Sequence, residues 1–422
     1  MTFGAIAVVG LGYIGLPTAA VFASRKRKVI GIDVNTHVVE TINRGEVHIV
    51  EPDLDMLVHA AVTEGYLRAT TAAESADAFL IAVPTPFKAS HEPDLSYIES
   101  ASNAIAPVLK AGDLVILEST SPVGATERMA AWLAEARPDL TFPQTAGEAS
   151  DIRIAHCPER VLPGHVLSEL VHNDRVIGGM TARCSEVAAS LYKIFVEGEC
   201  VITNARTAEM CKLTENSFRD VNIAFANELS MICDKLDVDV WELIRLANRH
   251  PRVNILQPGP GVGGHCIAVD PWFIVSQAPE QSRLIRTARE VNDSKPSWVL
   301  AKVGRLIDDL IASTGKTRSS IRIACLGLAF KANIDDLRES PALAITAAIG
   351  REFPGQVLAV EPHIDVVPAA LREADIPLVD MTAALLADVL VLLVDHKDLI
   401  AHPLRLRANQ RLLDTRGALQ LS

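Results

Sequence analysis

The sequence of 422 residues lacks the patterns of metal sites and of disulfide frameworks. Its seven cysteines are scattered, with no CxxC pair and no His/Cys spacing of a metal site. We therefore expect reduced thiols and no bound metal. Only 5% of the residues are aromatic, whereas 49% are hydrophobic. This composition favours an α/β protein with buried parallel strands over a β-sandwich.

Long charged runs and long apolar runs are absent as well. The formal charge of −12 is dispersed, which argues against a nucleic-acid or anionic-membrane partner but leaves room for a local basic pocket. The apolar run 389–394 is too short to span a bilayer. The apolar N-terminus has no basic start and contains Pro17, unlike a signal peptide. We expect a cytoplasmic protein without membrane insertion.

What is present is an alternation of short β-branched runs with helical stretches, typical of βαβ units. The predicted strands are 5–10, 28–33, 79–83, 114–118, 153–156 and 175–179, followed after a gap by 321–330, 357–362, 389–395 and 411–414. Long helical segments fill the gap, at 206–234, 239–249 and 283–312. We predict two Rossmann-like doubly wound domains, 1–203 and 316–422, joined by a central helical region, 204–315. Residues 314–320 are the best linker candidate.

A glycine fingerprint follows the first predicted strand. Gly10, Gly12 and Gly15 fit G-x-G-x-x-G, in which the glycines permit a tight turn, close approach of a pyrophosphate and close helix packing. Asp33 ends the second strand, where a carboxylate binds ribose hydroxyls and repels a 2′-phosphate. This pattern favours NAD over NADP. The alternative for Asp33 is a helix N-cap.

A second candidate site lies on the predicted helix that begins near residue 206. Lys212, Asn216 and Asp220 are spaced four residues apart, so they share one helix face. A lysine and an amide on one face can donate hydrogen bonds to a developing oxyanion. The alternative is a solvated polar face.

Cys266 lies in a glycine-rich turn, GPGVGGHC, which contains Gly261, Gly263 and Gly264. Such glycines allow positive φ or close approach to a ligand. Asp270 and Pro271 resemble an N-cap and first helical residue, which would place Cys266 before a helix N-terminus, where a thiolate is stabilised. The alternatives are a small buried hydrophobe for the cysteine and simple capping for Asp270.

Seven motifs occur in an order that resembles one known family over essentially the whole chain. They are GLGYIGLP (10–17), PTP (84–86), ESTSPVG (118–124), PERVLPG (158–164), the Lys212/Asn216 helix, GVGGHC with Asp270, and GLAFKANIDDLRES (327–340). Together they resemble the UDP-glucose/GDP-mannose 6-dehydrogenase family. The details are most similar to its bacterial branch that acts on UDP-N-acetyl-D-mannosamine.

The resemblance implies a four-electron oxidation of the sugar C6 hydroxymethyl to a carboxylate, with two NAD used per turnover. It assigns the chemistry to Cys266 as nucleophile, Lys212 and Asn216 as oxyanion donors, Asp270 and Thr120 as groups that position a water, and Glu159 as the residue that assists thioester hydrolysis. The product would supply an acidic sugar for surface polysaccharide such as enterobacterial common antigen.

The same resemblance implies the binding residues. Those for the cofactor are Gly10, Gly12, Tyr13, Ile14, Gly15, Asp33, Thr85, Glu118 and Thr120. Those for a UDP-N-acetylhexosamine are Glu159, Arg160, Val161, Leu162, Lys212, Asn216, Arg219, Arg252, Gly263, Lys331, Arg338 and Arg416. The central helices would form a homodimer in which Arg252 reaches the neighbouring site. For the basic residues in the last domain and Arg252, plain surface charge is the alternative.

One departure from the family pattern bears on the sugar. UDP-glucose enzymes usually carry an acidic residue four positions after the Glu of the PE motif, and Pro163 stands there instead. This change speaks against glucose and suits an N-acetylated hexosamine, yet it leaves UDP-N-acetylglucosamine as an alternative substrate. Two other hypotheses are a two-electron hydroxyacid dehydrogenase, which would leave Cys266 unused, and a non-catalytic NAD or nucleotide-sugar binding protein.

Overall fold

The computed structural model describes residues 3–88, 91–162, 164–264, 266–401 and 403–419. Contacts divide the chain into two compact units. The first comprises Met1–Glu215 with Trp272–Gln277, and the second comprises Asn216–Pro271 with Ala278–Ser422. Each unit contains a sheet with helices packed on it, which confirms the predicted α/β class. The three predicted domain boundaries stay predictions.

The first unit is built from eight strands within the described residues. They are β1 (Ala5–Val9), β2 (Lys28–Ile32), β3 (Leu67–Thr70), β4 (Ala78–Ile81), β5 (Leu114–Leu117), β6 (Arg153–His156), β7 (Arg175–Gly179) and β8 (Cys200–Asn204). The helices between them are α1 (Gly15–Ser24), α2 (Thr36–Asn43), α3 (Leu54–Thr63), α4 (Ser96–Ile105), α5 (Ala125–Ala136), α6 (Pro143–Ala146), α7 (Val166–His172) and α8 (Ala182–Tyr192).

The remaining elements begin with a long helix in which the boundary between the units falls. The helices are α9 (Ala205–Leu236), α10 (Val240–Ala247), α11 (Asp270–Gln277), α12 (Arg283–Thr314), α13 (Pro341–Glu352), α14 (Ala369–Glu373), α15 (Met381–Ala384) and α16 (Lys397–Ile400). The strands are β9 (Ile323–Leu326), β10 (Val357–Val360), β11 (Val389–Leu392) and β12 (Arg411–Asp414). In the described residues, no helix is long and apolar enough to cross a membrane.

The first sheet has the order β3-β2-β1-β4-β5-β6-β7-β8. Its first six strands follow the Rossmann order and pair in parallel, so their carboxyl ends meet at one edge, called here the carboxyl edge. Both faces of this sheet are covered, since Ile6 and Val8 pack into one core while Ala7 and Val9 pack into another. Two-sided burial explains why its strands are continuous apolar runs.

The parallel pairing that the βαβ pattern implies does not hold between two strands of the first sheet. Strand β7 runs antiparallel to β6. Within the described residues, the segment from Cys157 to Asp174 contains only the short helix α7, so the chain turns back instead of crossing over the sheet. As a result, Arg175 begins β7 at the carboxyl edge, beside the segment that leaves β6.

The second sheet is parallel throughout and has the order β10-β9-β11-β12. Ile323 and Cys325 pack on one side of it, and Ala324 and Leu326 pack on the other. It is therefore a second doubly wound sheet, as predicted. Strand order reverses between β9 and β11, and ligands of open α/β sheets bind at such a switch point.

A row of buried polar contacts joins α9 to α12 in the second unit. Asn227 Nδ2 donates to Asn292 Oδ1 at 2.9 Å, and Lys295 Nζ donates to Ser230 Oγ at 2.5 Å. Asn227 Oδ1 also accepts from the Gly259 N–H at 2.9 Å. Because buried polar groups are costly unless paired, these contacts fix the register of the two helices and the start of the glycine-rich segment.

The fingerprint glycines yield a stability prediction. A Cβ on Gly15 would lie 1.8 Å from the Gly10 carbonyl oxygen, whereas a Cβ on Gly12 would meet nothing within 4 Å. We expect Gly15→Ala to lower the free energy of unfolding by roughly 2–3 kcal/mol, because backbone must shift to admit it. Gly12→Ala is the matched control and should unfold like the parent. Urea denaturation without NAD tests this, and equal midpoints for all three proteins would contradict it.

Candidate active site

The dinucleotide loop and Asp33 meet at the carboxyl edge of the first sheet. Asp33 Oδ2 accepts from the Leu11 N–H at 2.9 Å, and its Oδ1 accepts from the Asn35 N–H at 2.9 Å. Helix α2 is capped by Asn35, which accepts from the His37 N–H at 3.0 Å. The N-cap alternative for Asp33 is therefore wrong, and its carboxylate lies against the fingerprint loop.

The surroundings of this loop fit NAD. Gly12 is exposed with open space above it, Gly10 has φ of 88°, and Tyr13 is 40% exposed. The hydroxyl of Thr85, after β4, is buried and has no hydrogen-bond partner among the described residues. An open loop at a helix N-terminus suits a pyrophosphate. The unsatisfied hydroxyl at the end of the neighbouring strand suits a polar group of the cofactor. Ile14 is half-buried at the start of α1.

His48 lies near Asp33 and was not predicted from the sequence. Burial lowers the pKa of His48, and the charge of Asp33 opposes that shift only in part. Its Nδ1 atom is buried without a hydrogen-bond partner among the described residues. A neutral imidazole beside Asp33 adds no positive charge that would attract a 2′-phosphate. No motif pointed to it.

Two carboxylates occupy the ends of β5 and β6. Glu118 is 1% exposed and accepts from the Tyr192 hydroxyl at 2.6 Å. Glu159 is also buried, and its Oε2 accepts from Arg175 Nη1 at 2.7 Å. Burial raises the pKa of Glu118 to about 7. Thr120, two residues after Glu118, is half-buried at the same edge.

The segment after Glu159 is anchored in the first unit. Arg160 pairs with Glu215 at 2.7 Å, and the Leu162 N–H donates to Glu169 Oε2 at 2.7 Å. Arg160, Val161 and Leu162 are all half-buried. Pro163, the residue that bears on the identity of the sugar, lies outside the described residues.

The loop that follows Thr120 is tied to the start of α9. Glu209 accepts from the Gly124 N–H at 2.6 Å and from the Thr126 hydroxyl at 2.7 Å. Glu209 precedes Lys212 by less than one helical turn and was not predicted from any motif. Lys212 itself is half-buried.

The polar stripe of α9 is buried where it enters the second unit. Asn216 Nδ2 donates to Asp270 Oδ2 at 2.5 Å, and both residues are buried. Asp220 is fully buried and pairs with Arg289 at 2.5 Å. The solvated-face alternative is therefore wrong for Asn216 and Asp220. Burial raises the pKa of Asp220 to about 6, and the Arg289 charge opposes this shift.

Cys266 is exposed, so its alternative as a buried hydrophobe is wrong. Its carbonyl accepts from the N–H groups of Val269 and Asp270 at 3.1 and 2.9 Å. Helix α11 begins at Asp270 itself, one residue earlier than the capping assignment. Gly264 has φ of 84°, and a Cβ on Gly263 would lie 2.5 Å from the Glu339 carbonyl oxygen. These backbone constraints therefore require glycine at positions 263 and 264, shortly before Cys266.

The predicted basic residues of the second unit lie in different surroundings. Arg416 follows β12 and donates to Asp395 at 2.8 Å and to the Pro258 carbonyl at 3.3 Å, which ties it to the segment before the thiol. Lys331 is exposed after β9, at the same sheet edge. Arg338 is exposed and pairs with Asp336. Arg219 and Arg252 are exposed on or near the central helices.

The second sheet carries its own acid after β10, the counterpart of Asp33 after β2. Glu361 Oε2 accepts from the Leu328 N–H at 2.7 Å, the Ala329 N–H at 3.0 Å and His396 Nε2 at 3.0 Å. Burial would raise the pKa of Glu361, but these hydrogen bonds hold it below its usual value. Its oxygens are occupied inside the fold and are not offered to a ribose.

Family models match three consecutive parts of the chain. They are the NAD binding, central and UDP binding domains of the UDP-glucose/GDP-mannose dehydrogenase family, at residues 4–196, 206–294 and 324–421. The chain is 67% identical over 418 residues to a UDP-N-acetyl-D-mannosamine dehydrogenase of Yersinia pestis, with 99% of each chain covered. It is 66% identical to an NDP-N-acetyl-D-galactosaminuronic acid dehydrogenase of Ralstonia nicotianae, with 98% and 96% covered.

A solved structure extends the similarity to the fold. The UDP-D-ManNAc dehydrogenase of Pyrococcus horikoshii superimposes with a TM-score of 0.84 at 38% identity, covering 99% of this chain and 96% of that one. The glycine loop, the Asn216–Asp270 pair and the exposed thiol occupy the parts that these models and relatives span. The chain belongs to the UDP-glucose/GDP-mannose dehydrogenase family and uses NAD as its cofactor.

Proposed function

We propose that the protein oxidises UDP-N-acetyl-D-mannosamine at C6 to UDP-N-acetyl-D-mannosaminuronate, in two successive NAD-dependent steps. The exposed thiol of Cys266 in its glycine-constrained turn carries this proposal, because a reaction that stops at the aldehyde needs no nucleophile. The sugar is supported by the relatives that bear this name at 67% identity over nearly their whole length.

The first oxidation converts the C6 alcohol to an aldehyde. NAD, when bound, accepts one hydride in each of the two oxidations. Thr120 and Asp270 hold the water that takes the hydroxyl proton, and Asp270 is kept in place by Asn216. The Cys266 sulfur then adds to the aldehyde carbon, and Lys212 and Asn216 donate hydrogen bonds to the resulting oxyanion.

The second oxidation turns this thiohemiacetal into a thioester, and water then releases the acid. Glu159 assists the hydrolysis by accepting a water proton, because it is the carboxylate after β6 and is held in place by the Arg175 guanidinium. In this scheme the substrate is bound by Arg160, Val161, Leu162, Arg219, Gly263, Lys331, Arg338 and Arg416. Glu118 and Thr85 serve the nicotinamide side of the cofactor.

A second candidate substrate follows from the relative in Ralstonia nicotianae, whose name specifies an N-acetyl-D-galactosaminuronic acid product. It is nearly as similar to this chain as the mannosamine enzymes are. UDP-N-acetylglucosamine is the third possibility. All three sugars keep the N-acetyl group, so the stereochemistry at C2 and C4 separates them.

We further propose the setting in which the enzyme works. The three domains are 1–203 for NAD, 204–315 for the central helices and 316–422 for the UDP-sugar, in line with the matched family domains. A homodimer is supported by the exposed side chains of Phe218, Phe225 and Ile232, which recur every seven residues along α9. Arg252 would reach the partner's substrate. The enzyme would be cytoplasmic and would supply surface polysaccharide such as enterobacterial common antigen.

The stoichiometry of NADH tests the function directly. We expect two NADH per sugar with UDP-N-acetyl-D-mannosamine, because both hydrides are removed before product release. The comparison panel is UDP-N-acetylglucosamine, UDP-N-acetylgalactosamine, UDP-glucose and GDP-mannose, scored by kcat/KM. A yield of one NADH would rule out the thioester route, and no NADH from any of them would favour a binding protein.

Replacement of the thiol separates the two oxidations. Cys266→Ser should bind NAD as the parent does yet form no acid, because serine makes a far poorer covalent adduct than a thiolate. The matched control is Cys200→Ser, which alters a half-buried cysteine of β8. Product analysis by mass spectrometry checks this, and full acid yield from the Cys266 variant would remove the covalent role.

Cofactor choice should depend on the charge of Asp33. Asp33→Asn removes the repulsion of a 2′-phosphate and leaves one of the two N–H donors poorly paired. We expect NAD to bind more weakly and the preference for NAD over NADP to fall about tenfold. Asp55→Asn, an equal charge change at an exposed site, is the control. Unchanged selectivity would show that another group reads the ribose.

A further inference from the structure

Glu118 and Glu159 form a buried cluster with a single cation. Arg175 donates to Glu159 Oε2 at 2.7 Å, and its guanidinium lies 5.1 Å from the centre of the Tyr192 ring. The hydroxyl of that ring donates to Glu118 Oε1 at 2.6 Å. Cys157, the first residue after β6, is fully buried beside these side chains. All five side chains belong to the first unit.

The charges of this cluster do not balance if both carboxylates are ionised. One guanidinium can neutralise one carboxylate, and a second buried negative charge would be costly in a medium of low dielectric constant. Arg175 makes its carboxylate hydrogen bond to Glu159. Glu118 has only the phenol as a donor, and its Oε2 atom is buried with no partner among the described residues. The favourable arrangement is therefore one proton for the two carboxylates.

We propose that Glu118 carries the proton that leaves this cluster with one negative charge to balance Arg175, and that Glu118 acts as a positioning residue that sets how strongly Glu159 attracts a proton during thioester hydrolysis. This inference rests on the proposed function. Tyr192 has a matching role, since it fixes Glu118 and supports the Arg175 guanidinium with its ring.

The hydrolytic step balances with these groups. The water oxygen bonds to the thioester carbon, one water proton passes to Glu159, and the other remains on the product carboxyl group. The carbon–sulfur bond breaks, and its electron pair leaves with the Cys266 sulfur as a thiolate. No electrons pass to an oxidant in this step. Transfer of this proton to Glu159 is favoured when Glu118 is charged, because it removes the repulsion between two negative charges.

The direction of the pH dependence follows from the groups around Glu118. Burial raises its pKa to about 7, with Glu159 acting in the same direction and with Arg175 and Tyr192 opposing. Below that value Glu118 is neutral. Above it, its charge makes Glu159 a stronger base, so hydrolysis should speed up as pH rises. Burial also raises the pKa of Cys157 to about 12, so this thiol adds no charge near neutrality.

Two conservative variants test the proposal in the full-length enzyme. In single turnovers of acid release, the parent rate should rise roughly three- to tenfold through an inflection near pH 7. Glu118→Gln, which cannot ionise, should remove the inflection from the pH profile, whatever its absolute rate. Tyr192→Phe should move the inflection to higher pH, because the phenol favours the charged form of Glu118. Unchanged profiles in both variants would overturn the proposal.

Further measurements separate this role from a loss of folding and from failure of the chemistry. Glu186→Gln, an exposed change on α8, is the matched control and should keep the parent profile. Infrared spectra of the parent at neutral pH should show a band of a protonated carboxylic acid, and Glu118→Gln should lack this band. If the band is present in both proteins, the proposal is also overturned. If no thioester is trapped in the parent, the proposed function fails, whereas the infrared result still decides whether Glu118 carries the proton.

Discussion

Parallel pairing from β3 to β6 brings six strand ends to one edge of the first sheet, and the site residues of the first unit follow from it. Within four residues of a strand end come the dinucleotide loop, Asp33, Thr85, Thr120 and Glu159. The reversal at β7 adds what parallel strands cannot supply, namely a residue at the beginning of a strand at that same edge. Arg175 occupies this position and pairs with Glu159.

Buried charge in the second unit has a different arrangement. There, Asp220 and Arg289 lie along the contact between α9 and α12, next to amide and hydroxyl contacts. Arg289 also approaches the Ile267 carbonyl, one residue after Cys266, at 3.5 Å. The helices thereby support the thiol-bearing turn, while its glycines meet the backbone constraints. Rigid helices, rather than the turn alone, hold Cys266 in place.

The sequence predicted ten of the twelve strands in the described residues, because two-sided burial produces apolar runs and glycine fingerprints mark the turns between them, but it missed β3 and β8. It predicted Asn216 and Asp270 individually, while their hydrogen bond appears only in the structure. Tyr192 and Arg175 were missed, since neither belongs to a motif and their partners are 74 and 16 residues away. The sequence also could not show that the polar stripe of α9 is buried, because solvated and buried polar faces have the same residue spacing. An arginine opening an apolar strand was the only available signal for Arg175.

Glu361 limits where a dinucleotide ribose can bind, because it is buried and its Oε2 atom accepts three hydrogen bonds, whereas Asp33 is only half-buried beside the open glycine loop. Among the described residues that follow the second strand of each sheet, only Asp33 remains for that purpose. In the proposed reaction, two NAD molecules would use one place in turn, and the first NADH would depart while the sugar is half oxidised. A free aldehyde would escape or become hydrated during this exchange. As the proposed adduct with the Cys266 sulfur, it would stay on the enzyme until the next NAD binds.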